Sequence, residues 1–451
     1  MVFPVVGGDG KPTGYEIENS ARFDNTGGSA LGTTFGTATN SKKFTLSFWY
    51  KICSGTTSGG RTIFGGRSGY ENIFIHEDTI RMDWNNASSG TVNWAPLVRD
   101  HSAWYHFVIA QDTSQSTDSN RIKFYINGVQ AGIRSGVTLS YPAQNLESGY
   151  NVSGVDFFLS SYNGTAAEVN AYYADVYFVD GQQYAPTVFA ETDDNGVWIP
   201  KEAKDDVSFG NNGFFLEFKQ TGTGTNSSGI GADTSGNDNH LSVAGLAAQD
   251  ITTDTPTNNF CTFNPLKERP GEGYATFSEG NCKATGTSLF AFSSFVLPSS
   301  GKWYAEFKAT AGSSTAYVAL RDEDDYTADG NTNRLFYRND GQKDTGSGAS
   351  SYGNSWTTND IISIAANVDD SEVTFYKNGV AQDSGTAISQ TCANQYIIVA
   401  TAGGWTFEAN FGNPPFSISS GNSDANGYGN FEYAVPSGYY ALYTKNLAEY
   451  G

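Results

Sequence analysis

The stretch FYINGVQ (Phe124–Gln130) recurs in the second half of the chain as FYKNGVA (Phe375–Ala381). In both copies an aromatic run with strand propensity leads into Asn-Gly, the pair that best tolerates the positive φ angles of a two-residue type I′ hairpin turn. Each copy therefore predicts a strand that turns back tightly. The four predicted turn residues are Asn127, Gly128, Asn378 and Gly379.

The surroundings of the two hairpins are also alike. Each hairpin follows a strand-like run and a polar turn, AWYHFVIAQDTSQSTDSN before the first and NDIISIAANVDDSE before the second. Each half also carries an earlier aromatic strand, FTLSFWYK in the first and GKWYAEFK in the second. A spacing this long excludes a solenoid repeat, so the pattern predicts two related sandwiches in tandem.

Hydrophobic periodicity favours strands almost everywhere. In FTLSFWYK, Phe44, Leu46 and Phe48 alternate with Thr45 and Ser47, the period-two pattern of a strand with one face in a core. Short helical turns are expected only near AGLAAQD (Ala244–Asp250) and KNLAE (Lys445–Glu449). The predicted class is therefore all-β.

Composition and charge exclude several classes of function. The formal net charge is −21, and a surface of this sign repels nucleic-acid phosphates and anionic lipid. No apolar run is long enough to span a bilayer, and the first residues lack the basic and hydrophobic regions of a secretory signal. We therefore expect no nucleic-acid partner and no membrane insertion.

Particular stretches then indicate the kind of sandwich. The first half, with FTLSFWYK, WYHFVIA, IKFYINGV and YADVYFVDG, resembles a laminin G-like or concanavalin A-like jelly roll. The second half, with GKWYAEFK, DIISIAANVDDSEVTFYKNGV and FEANFGNPPF, resembles a SPRY domain, which shares the two-sheet sandwich. The resemblance implies two tandem concanavalin A-like (jelly-roll) antiparallel β-sandwiches.

The segments between these stretches complete a predicted domain map. GFFLEF (Gly213–Phe218) and HLSVAGL (His240–Leu246) are interpreted as the first hairpin of the second sandwich. The C-terminal piece, rich in Gly, Asn and Tyr, is expected to pack along the outside or against a partner subunit. The predicted map is an N-terminal arm (1–20), a laminin G-like sandwich (21–185), a connector (186–209), a SPRY-like sandwich (210–416) and a C-terminal packing segment (417–451).

Other stretches are similar to virion proteins of tailed bacteriophages, many of them marine. They are FPVVGGDGKPTGYEIENSARFD, DVYFVDGQQYAPTVFAETDDNGVWIPK, TDTPTNNFCTFNPL and PSGYYALYTKNL. The resemblance implies a non-enzymatic structural protein on the particle exterior, assembled in the host cytoplasm. It favours a tail fibre, spike or other appendage that contacts a host glycan or receptor, and the alternative is a capsid decoration or head-fibre protein.

Partners follow from the same resemblance. The N-terminal arm is expected to bind other virion proteins of the tail or capsid, and the chain to form a homo-oligomer. No cofactor is required, although calcium is possible.

The cysteines show no zinc-binding spacing. Cys261 and Cys282 lie in two strand-like pieces separated by a Pro/Gly-rich turn, so they could face each other or be two buried thiols. The related phage proteins often have small aliphatic residues at both positions, and this joint departure makes a disulfide possible, while two buried thiols are the favoured interpretation.

Residues suited to catalysis are few. The chain has no GxSxG, HExxH or P-loop motif, and His106 in WYHFVIA is interpreted as a histidine on a sheet face. Glu71, Asp83 and Asp100 could serve a glycosidase, but their spacing does not separate them from loop carboxylates. A polysaccharide depolymerase is therefore the less favoured alternative.

Two groups of residues are candidate binding sites. Hard oxygen ligands for calcium gather in RDEDDYTADGNTNR, although the spacing is not that of an EF-hand and a solvated loop is the favoured interpretation. The metal candidates are Asp322, Asp324, Asp325 and Asp329. Aromatic and amide groups suited to a sugar occur in MDWNNASSGTVNW and LSSYNGTA, where the tryptophans could instead be buried. The ligand candidates are Trp84, Asn85, Asn86, Trp94, Tyr162 and Asn163.

Overall fold

The computed structural model describes residues 14–25, 28–53, 60–66, 71–85, 87–147, 149–164, 166, 168–267, 275–287, 289–322 and 334–451. The chain divides into two compact units that meet in sequence between Thr257 and Asn258. Strands hold 43% of the residues and helices 5%, which confirms the predicted all-β class.

Seventeen strands are described in the first unit. They are β1 (Ser20–Phe23), β2 (Ala30–Thr34), β3 (Lys43–Ile52), β4 (Arg61–Gly66), β5 (Glu71–His76), β6 (Thr79–Trp84), β7 (Gly90–Leu97), β8 (Tyr105–Asp112), β9 (Ile122–Ile126), β10 (Val129–Gln130), β11 (Asp156–Leu159), β12 (Ala171–Asp180), β13 (Ala190–Thr192), β14 (Trp198–Pro200), β15 (Phe214–Leu216), β16 (Ser242–Ala244) and β17 (Ile251–Thr252). Short 3₁₀ turns cover Asp118–Asn120, Gly149–Asn151, Pro186–Val188 and Ala248–Asp250.

Fifteen of these strands form a two-sheet sandwich, and β13 and β14 pair with each other in a separate two-stranded sheet. An eight-stranded sheet has the order β10-β9-β8-β3-β12-β1-β17, with β15 added on β12, and a seven-stranded sheet has the order β16-β2-β11-β4-β5-β6-β7. Both sheets contribute to one core, in which Phe48 of β3 meets Phe64 of β4 with ring centroids 5.0 Å apart. The alternation of FTLSFWYK therefore places its apolar residues in the core, as predicted.

The outer face of the eight-stranded sheet is buried as well. On β3, Trp49 packs with Ile17 of the N-terminal segment and Ala190 of β13. On the neighbouring strand β8, Val108 packs with Phe189 and Phe209. Residues 186–209, predicted as a connector, thus cover the outer face of the eight-stranded sheet. Of the predicted N-terminal arm, residues 1–13 lie outside the described residues.

The predicted boundary at residue 210 is wrong. GFFLEF and HLSVAGL do not pair with each other: β15 pairs with β12, and β16 pairs with β2 in the opposite sheet of the first sandwich. Residues further on belong to the same unit, because Lys51 Nζ of β3 lies 2.9 Å from Asp254 Oδ2 and both side chains are fully buried. A short apolar run in the sequence does not show which sheet its strand joins. Here the sheet is determined by pairing with strands far away in the sequence, β12 and β2.

The second unit holds fifteen described strands and one short helix. They are β18 (Thr276–Ser278), β19 (Lys283–Gly286), β20 (Leu289–Val296), β21 (Lys302–Gly312), β22 (Ala316–Arg321), β23 (Arg334–Arg338), β24 (Gln342–Asp344), β25 (Ala349–Ser351), β26 (Ile361–Asn367), β27 (Glu372–Lys377), β28 (Val380–Ala381), β29 (Ile388–Ser389), β30 (Tyr396–Thr401), β31 (Trp405–Asn410), β32 (Tyr440–Ala441) and α1 (Thr444–Tyr450).

The second unit is also a two-sheet sandwich. Its nine-stranded sheet has the order β18-β19-β31-β21-β26-β27-β28, with β29 on β27 and β32 on β21, and its six-stranded sheet has the order β20-β30-β22-β23-β24-β25. The C-terminal segment lies on the outer face of the nine-stranded sheet, where Phe431 and Tyr443 pack with Tyr304 and Ala365. The Glu306 carboxylate on that face accepts hydrogen bonds from the backbone N–H groups of residues 432 and 433.

Both predicted hairpin turns are confirmed. The φ angles are +48° at Asn127 and +79° at Gly128, and +48° at Asn378 and +77° at Gly379, as a type I′ turn requires. The turns join β9 to β10 and β27 to β28.

The disulfide considered as possible between Cys261 and Cys282 is not formed. Cys261 and Cys282 are both buried thiols, and their Sγ atoms donate to the Thr262 and Asn413 carbonyls respectively. Of the two alternatives from the sequence, the buried thiols are confirmed.

No helix among the described residues is long and apolar enough to cross a membrane.

Candidate functional site

The outer face of the seven-stranded sheet carries polar side chains. Strand alternation sends Ile73, Met82 and Val92 into the core, so the residues between them point outward. Register places Asn72 beside Asp83 and Thr91, and Phe74 beside Arg81 and Asn93. The polar face, as we call it, consists of Asn72, Phe74, Arg81, Asp83, Thr91 and Asn93.

Internal hydrogen bonds fix the centre of the polar face. Asp83 Oδ1 accepts from Arg81 Nε at 2.9 Å and from the Thr91 hydroxyl at 2.5 Å. The Arg81 guanidinium also lies 5.2 Å above the Phe74 ring. The one cation and the one anion of the face thus balance each other, and both are held in place before any ligand arrives.

Amide oxygens beside this pair have no partner within the protein. Asn72 Oδ1 and Asn93 Oδ1 are buried atoms that accept no hydrogen bond within the protein. The Thr62 hydroxyl on the neighbouring strand β4 is also buried without a hydrogen-bond partner. Leaving a buried acceptor unsatisfied costs about 1–3 kcal/mol. Because these atoms are closed to solvent, a donor from outside the protein would reach and stabilise them only after the side chains above them move. Sugar hydroxyls are donors of the kind that these atoms need.

The loop that begins at Ser160 bounds the polar face on one side. Gly65 pairs with Asn72, and a Cβ atom at Gly65 would lie 2.4 Å from the Ser161 carbonyl oxygen and 2.8 Å from that of Tyr162. Only glycine therefore allows the loop to rest on the sheet at this position. Tyr162 is half-buried in the loop and Asn163 is exposed, so both predicted ligand candidates lie at the border of the polar face.

The two tryptophans proposed from the sequence do not contribute to this surface. Trp84 is fully buried and donates from Nε1 to Gln111 Oε1, and Trp94 packs against Phe124 in the core. Their prediction as a binding platform is wrong. Side chains alternate between the two faces of a strand, and this alternation directs both indole rings into the core. Asn85 lies in the turn after β6 with φ +49°, at the end of the polar face, and Asn86 lies outside the described residues.

The three carboxylates considered for hydrolysis do not converge. Glu71 pairs with Trp84 and so lies on the core side of the sheet, where its Oε1 accepts from the Gly149 N–H, whereas Asp83 faces outward. Burial raises the pKa of Glu71 to about 8. Asp100 caps its own loop by accepting from the N–H of residue 102. This is not the arrangement of two carboxylates flanking one sugar cleft.

Most of the predicted calcium loop lies outside the described residues. Asp322 follows β22 directly, and Asp324, Asp325 and Asp329 lie outside the described residues. Within the part of the chain that the structure describes, no group of three or more His, Cys, Asp or Glu side chains is arranged to hold a metal ion.

Most of the polar face was missed by the sequence interpretation. Asp83 was considered only as a catalytic acid, and Asn72, Arg81, Thr91 and Asn93 were not considered. The alternation in ENIFIH (Glu71–His76) and in MDW and VNW was the signal that could have found them. The residues between two core positions of adjacent strands necessarily share the outer face.

Comparison with known families agrees with the two folds. Residues 24–176 match the laminin G family described as the concanavalin A-like lectin/glucanases superfamily. Residues 308–414 match the SPRY domain family. The chain thus contains a laminin G-like domain followed by a SPRY domain, which confirms the sandwich types expected from the sequence. No curated protein matches the chain.

Three solved structures are distantly similar to the chain. Stonustoxin is 13% identical with a TM-score of 0.27, and the match covers 33% of this chain and 27% of that one. A proposed carbohydrate-binding protein from Bacteroides ovatus is 12% identical with a TM-score of 0.36, over 53% of this chain and 60% of that one. Domains LG4-5 of the mouse laminin α1 chain are 9% identical with a TM-score of 0.29, over 91% of this chain and 92% of that one. At these values the likenesses carry no functional argument.

Proposed function

We propose that this chain is a non-catalytic binding protein whose polar face recognises a glycan. The observation that carries the proposal is the set of buried amide oxygens without partners, Asn72 Oδ1 and Asn93 Oδ1, beside the fixed Arg81–Asp83 pair. A carboxylate, a guanidinium, two amides and one aromatic ring are the groups that hold a polyol by hydrogen bonds and ring contact. The laminin G-like and SPRY domains support a binding role.

We further propose that the protein is a tailed-phage virion component, an appendage that presents these domains to the host surface. The support is the similarity of the four sequence stretches named above, together with the acidic composition. Glycan recognition is the chemistry that such an appendage needs in order to adsorb to a bacterial envelope. The alternative role, capsid decoration, uses the same domains but a different partner.

A glycan array tests the binding site. The purified chain is applied to arrayed bacterial surface polysaccharides, beside the variant Asp83→Asn, which keeps the size of the side chain but removes its charge. We expect Asp83→Asn to bind at least tenfold more weakly, a loss of about 1.4 kcal/mol. Glu191→Gln, an exposed acid-to-amide change on β13, is the matched control and should bind like the parent chain. Equal binding by all three proteins would exclude the polar face.

Antibody labelling tests the virion role separately. Antibodies against the chain are imaged on particles of a phage that encodes it, and their effect on adsorption to host cells is measured. Antibodies that bind the tail and block adsorption would support the appendage role. Label on the capsid with unchanged adsorption supports decoration, and unlabelled particles contradict both. Reducing ends released from a bound polysaccharide would contradict the non-catalytic role.

A further inference from the structure

The ion pair between Lys51 and Asp254 is shielded from solvent on all sides. Lys51 lies near the end of the central strand β3, and Asp254 follows β17 in the last part of the first unit. The distance from Lys51 Nζ to Asp254 Oδ2 is 2.9 Å, and neither side chain has any exposed area. The Tyr172 ring covers the ammonium, with its centroid 5.5 Å from Nζ. A carboxylate and a primary amine are therefore held in contact away from bulk water.

Hydrogen bonds hold Asp254 in this position. The Ser20 hydroxyl donates to the Asp254 carbonyl at 2.6 Å, and the Asp254 N–H donates to the Thr252 hydroxyl at 3.2 Å. The second carboxylate oxygen, Oδ1, accepts a hydrogen bond from Trp104 Nε1 at 3.1 Å. Both the backbone and the side chain of Asp254 are thus fixed, so its carboxyl carbon stays next to the lysine amine.

These conditions favour a reaction between the two groups. Burial removes the hydration of a lysine side chain, and a desolvated lysine amine is a nucleophile. Two groups held in contact react as if one of them were present at an effective concentration of about 10⁵–10⁸ M. A buried ion pair also carries the cost of desolvating two charges, whereas a neutral amide in its place does not. Proximity and the removal of two buried charges therefore both favour condensation.

We propose that Lys51 and Asp254 condense to form an intramolecular isopeptide bond, with the ion pair of the structure as the reactant. One ammonium proton passes to Oδ2, and the free amine attacks Cγ and forms the C–N bond. The negative charge that develops on Oδ1 is stabilised by the Trp104 indole N–H. A second proton then passes from the nitrogen to Oδ2, the Cγ–Oδ2 bond breaks, and water leaves. The third proton remains on the amide nitrogen, so the reaction needs no oxidant and no co-reactant.

The isopeptide bond would strengthen the end of the first unit. Strand β17 pairs with β1 at two positions, whereas β3 pairs along its length with β8 and β12. Because the first unit ends at Thr257, a pull on the chain from the second unit reaches β17 first. The bond would carry that pull to the central strand β3 without loading the short β17 pairing. This role does not depend on either function proposed above.

A second lysine–aspartate pair provides a comparison within the same chain. Lys377 Nζ lies 3.3 Å from Asp360 Oδ2, and the two side chains are 24% and 15% exposed. This pair has the same residue types at a similar distance, but water reaches both charges. Because solvation stabilises the ions there, we expect the Lys377–Asp360 pair to remain ionic.

Mass spectrometry of the purified full chain tests the proposal. The denatured chain should be lighter than its sequence mass by one water molecule. Trypsin should release a branched peptide in which residues 44–61 are joined to residues 220–267, because trypsin does not cleave after an acylated Lys51. Separate peptides 44–51 and 220–267 would overturn the proposal. A loss of water located only at another site, or an equal branch between Lys377 and Asp360, would overturn it as well.

Two variants examine the mechanism. Lys51→Arg keeps a cation beside Asp254, but a guanidinium does not condense, so this variant should have its full sequence mass. Trp104→Phe removes the N–H that stabilises Oδ1 and should slow condensation about a hundredfold. The branched peptide is quantified at intervals after cell-free synthesis, and circular dichroism identifies any variant that does not fold. The proposal is overturned if Lys51→Arg loses the same water molecule, or if folded Trp104→Phe condenses as fast as the parent. The measurement on the parent chain decides the proposal if neither variant folds.

Discussion

Asn127 closes its hairpin by bonding to both backbone groups of His106. The His106 N–H donates to Asn127 Oδ1 at 2.7 Å, and the Asn127 N–H donates to the His106 carbonyl at 2.9 Å. Asn378 makes the same two bonds with Ile361 in the second sandwich, each at 2.8 Å. The repeated Asn-Gly is therefore more than a turn, since the Asn side chain also fixes the start of the neighbouring strand.

Replacing Asn127 with Ala should destabilise the first unit by about 2 kcal/mol. The change loses one hydrogen bond, and alanine is strained at the φ of +48°. Asn127→Gly loses the bond without the strain, so it should cost about 1 kcal/mol less. Urea unfolding monitored by tryptophan fluorescence measures both changes. If the two variants are equally stable, positive φ is not part of the cost.

The buried imidazole of His106 should make the first unit sensitive to acid. Trp198 Nε1, which can only donate, lies 3.1 Å from His106 Nδ1, and Ser47 Oγ lies 2.9 Å from Nε2, so the ring is neutral with its proton on Nε2. Burial lowers the pKa of His106 to about 3. The unfolded chain therefore binds a proton that the folded chain does not between about pH 6.5 and 3.

Stability from this group is complete above about pH 6.5 and is lost as the pH falls toward 3. The comparison is with His106→Gln, which cannot titrate, at several pH values by urea unfolding. The stability advantage of the parent chain over the variant should shrink on acidification. An advantage that stays constant or grows would contradict the pKa assignment.

Glu306 should make the attachment of the C-terminal segment depend on pH in the opposite sense. Burial raises the pKa of Glu306 to about 7, although the N–H groups of Tyr433 and Glu432 favour its charged form. The folded state then binds a proton that the unfolded state releases between about pH 4.5 and 7. The stabilisation from this group is complete below about pH 4.5 and declines as the pH rises to 7.

Hydrogen exchange of residues 417–443 measures this effect. After correction for intrinsic rates, protection of the parent chain should be lower at pH 8 than at pH 5. Glu306→Gln should reduce protection at pH 5 and remove most of the pH dependence, because the amide retains one acceptor oxygen but does not titrate. Protection that increases from pH 5 to pH 8 in the parent chain would contradict the expected sign.

The buried pair Lys51–Asp254 should show strong coupling. Lys51→Met leaves the Asp254 carboxylate buried without its cation, which costs about 3–5 kcal/mol. The double variant Lys51→Met with Asp254→Leu removes both charges and should recover part of that loss. A double-mutant cycle by urea unfolding measures the coupling. Additive single effects would show that the two charges do not stabilise each other.

The position of the domain boundary can be tested with fragments. A fragment of residues 14–257 should unfold cooperatively, because it keeps β15, β16 and β17 and the partner of Lys51. A fragment of residues 14–209 lacks all of these and should be unfolded or strongly destabilised. Thermal melts followed by circular dichroism compare the two. Equal melting temperatures for the two fragments would support the boundary predicted from the sequence, at residue 210.

Several features of the candidate site could not be read from the sequence, for a geometric reason. Trp84 and Asn85 are neighbours in the chain, but the Trp84 ring lies in the core whereas the Asn85 amide lies at the end of the polar face. The composition of MDWNN indicates a sugar site, but only the register with β5 and β7 shows which side chains share a surface. Tyr162 reaches that surface because Gly65 leaves room for its loop.

The sequence by itself determined the strands, the two hairpin turns and the tandem of sandwiches, because period-two alternation and Asn-Gly turns act over a few neighbouring residues. Tertiary structure alone decided that residues 210–257 complete the first sandwich, and which residues form the polar face. Those features depend on pairing between residues far apart in the chain, such as Lys51 with Asp254, and a local pattern carries no information about a distant partner.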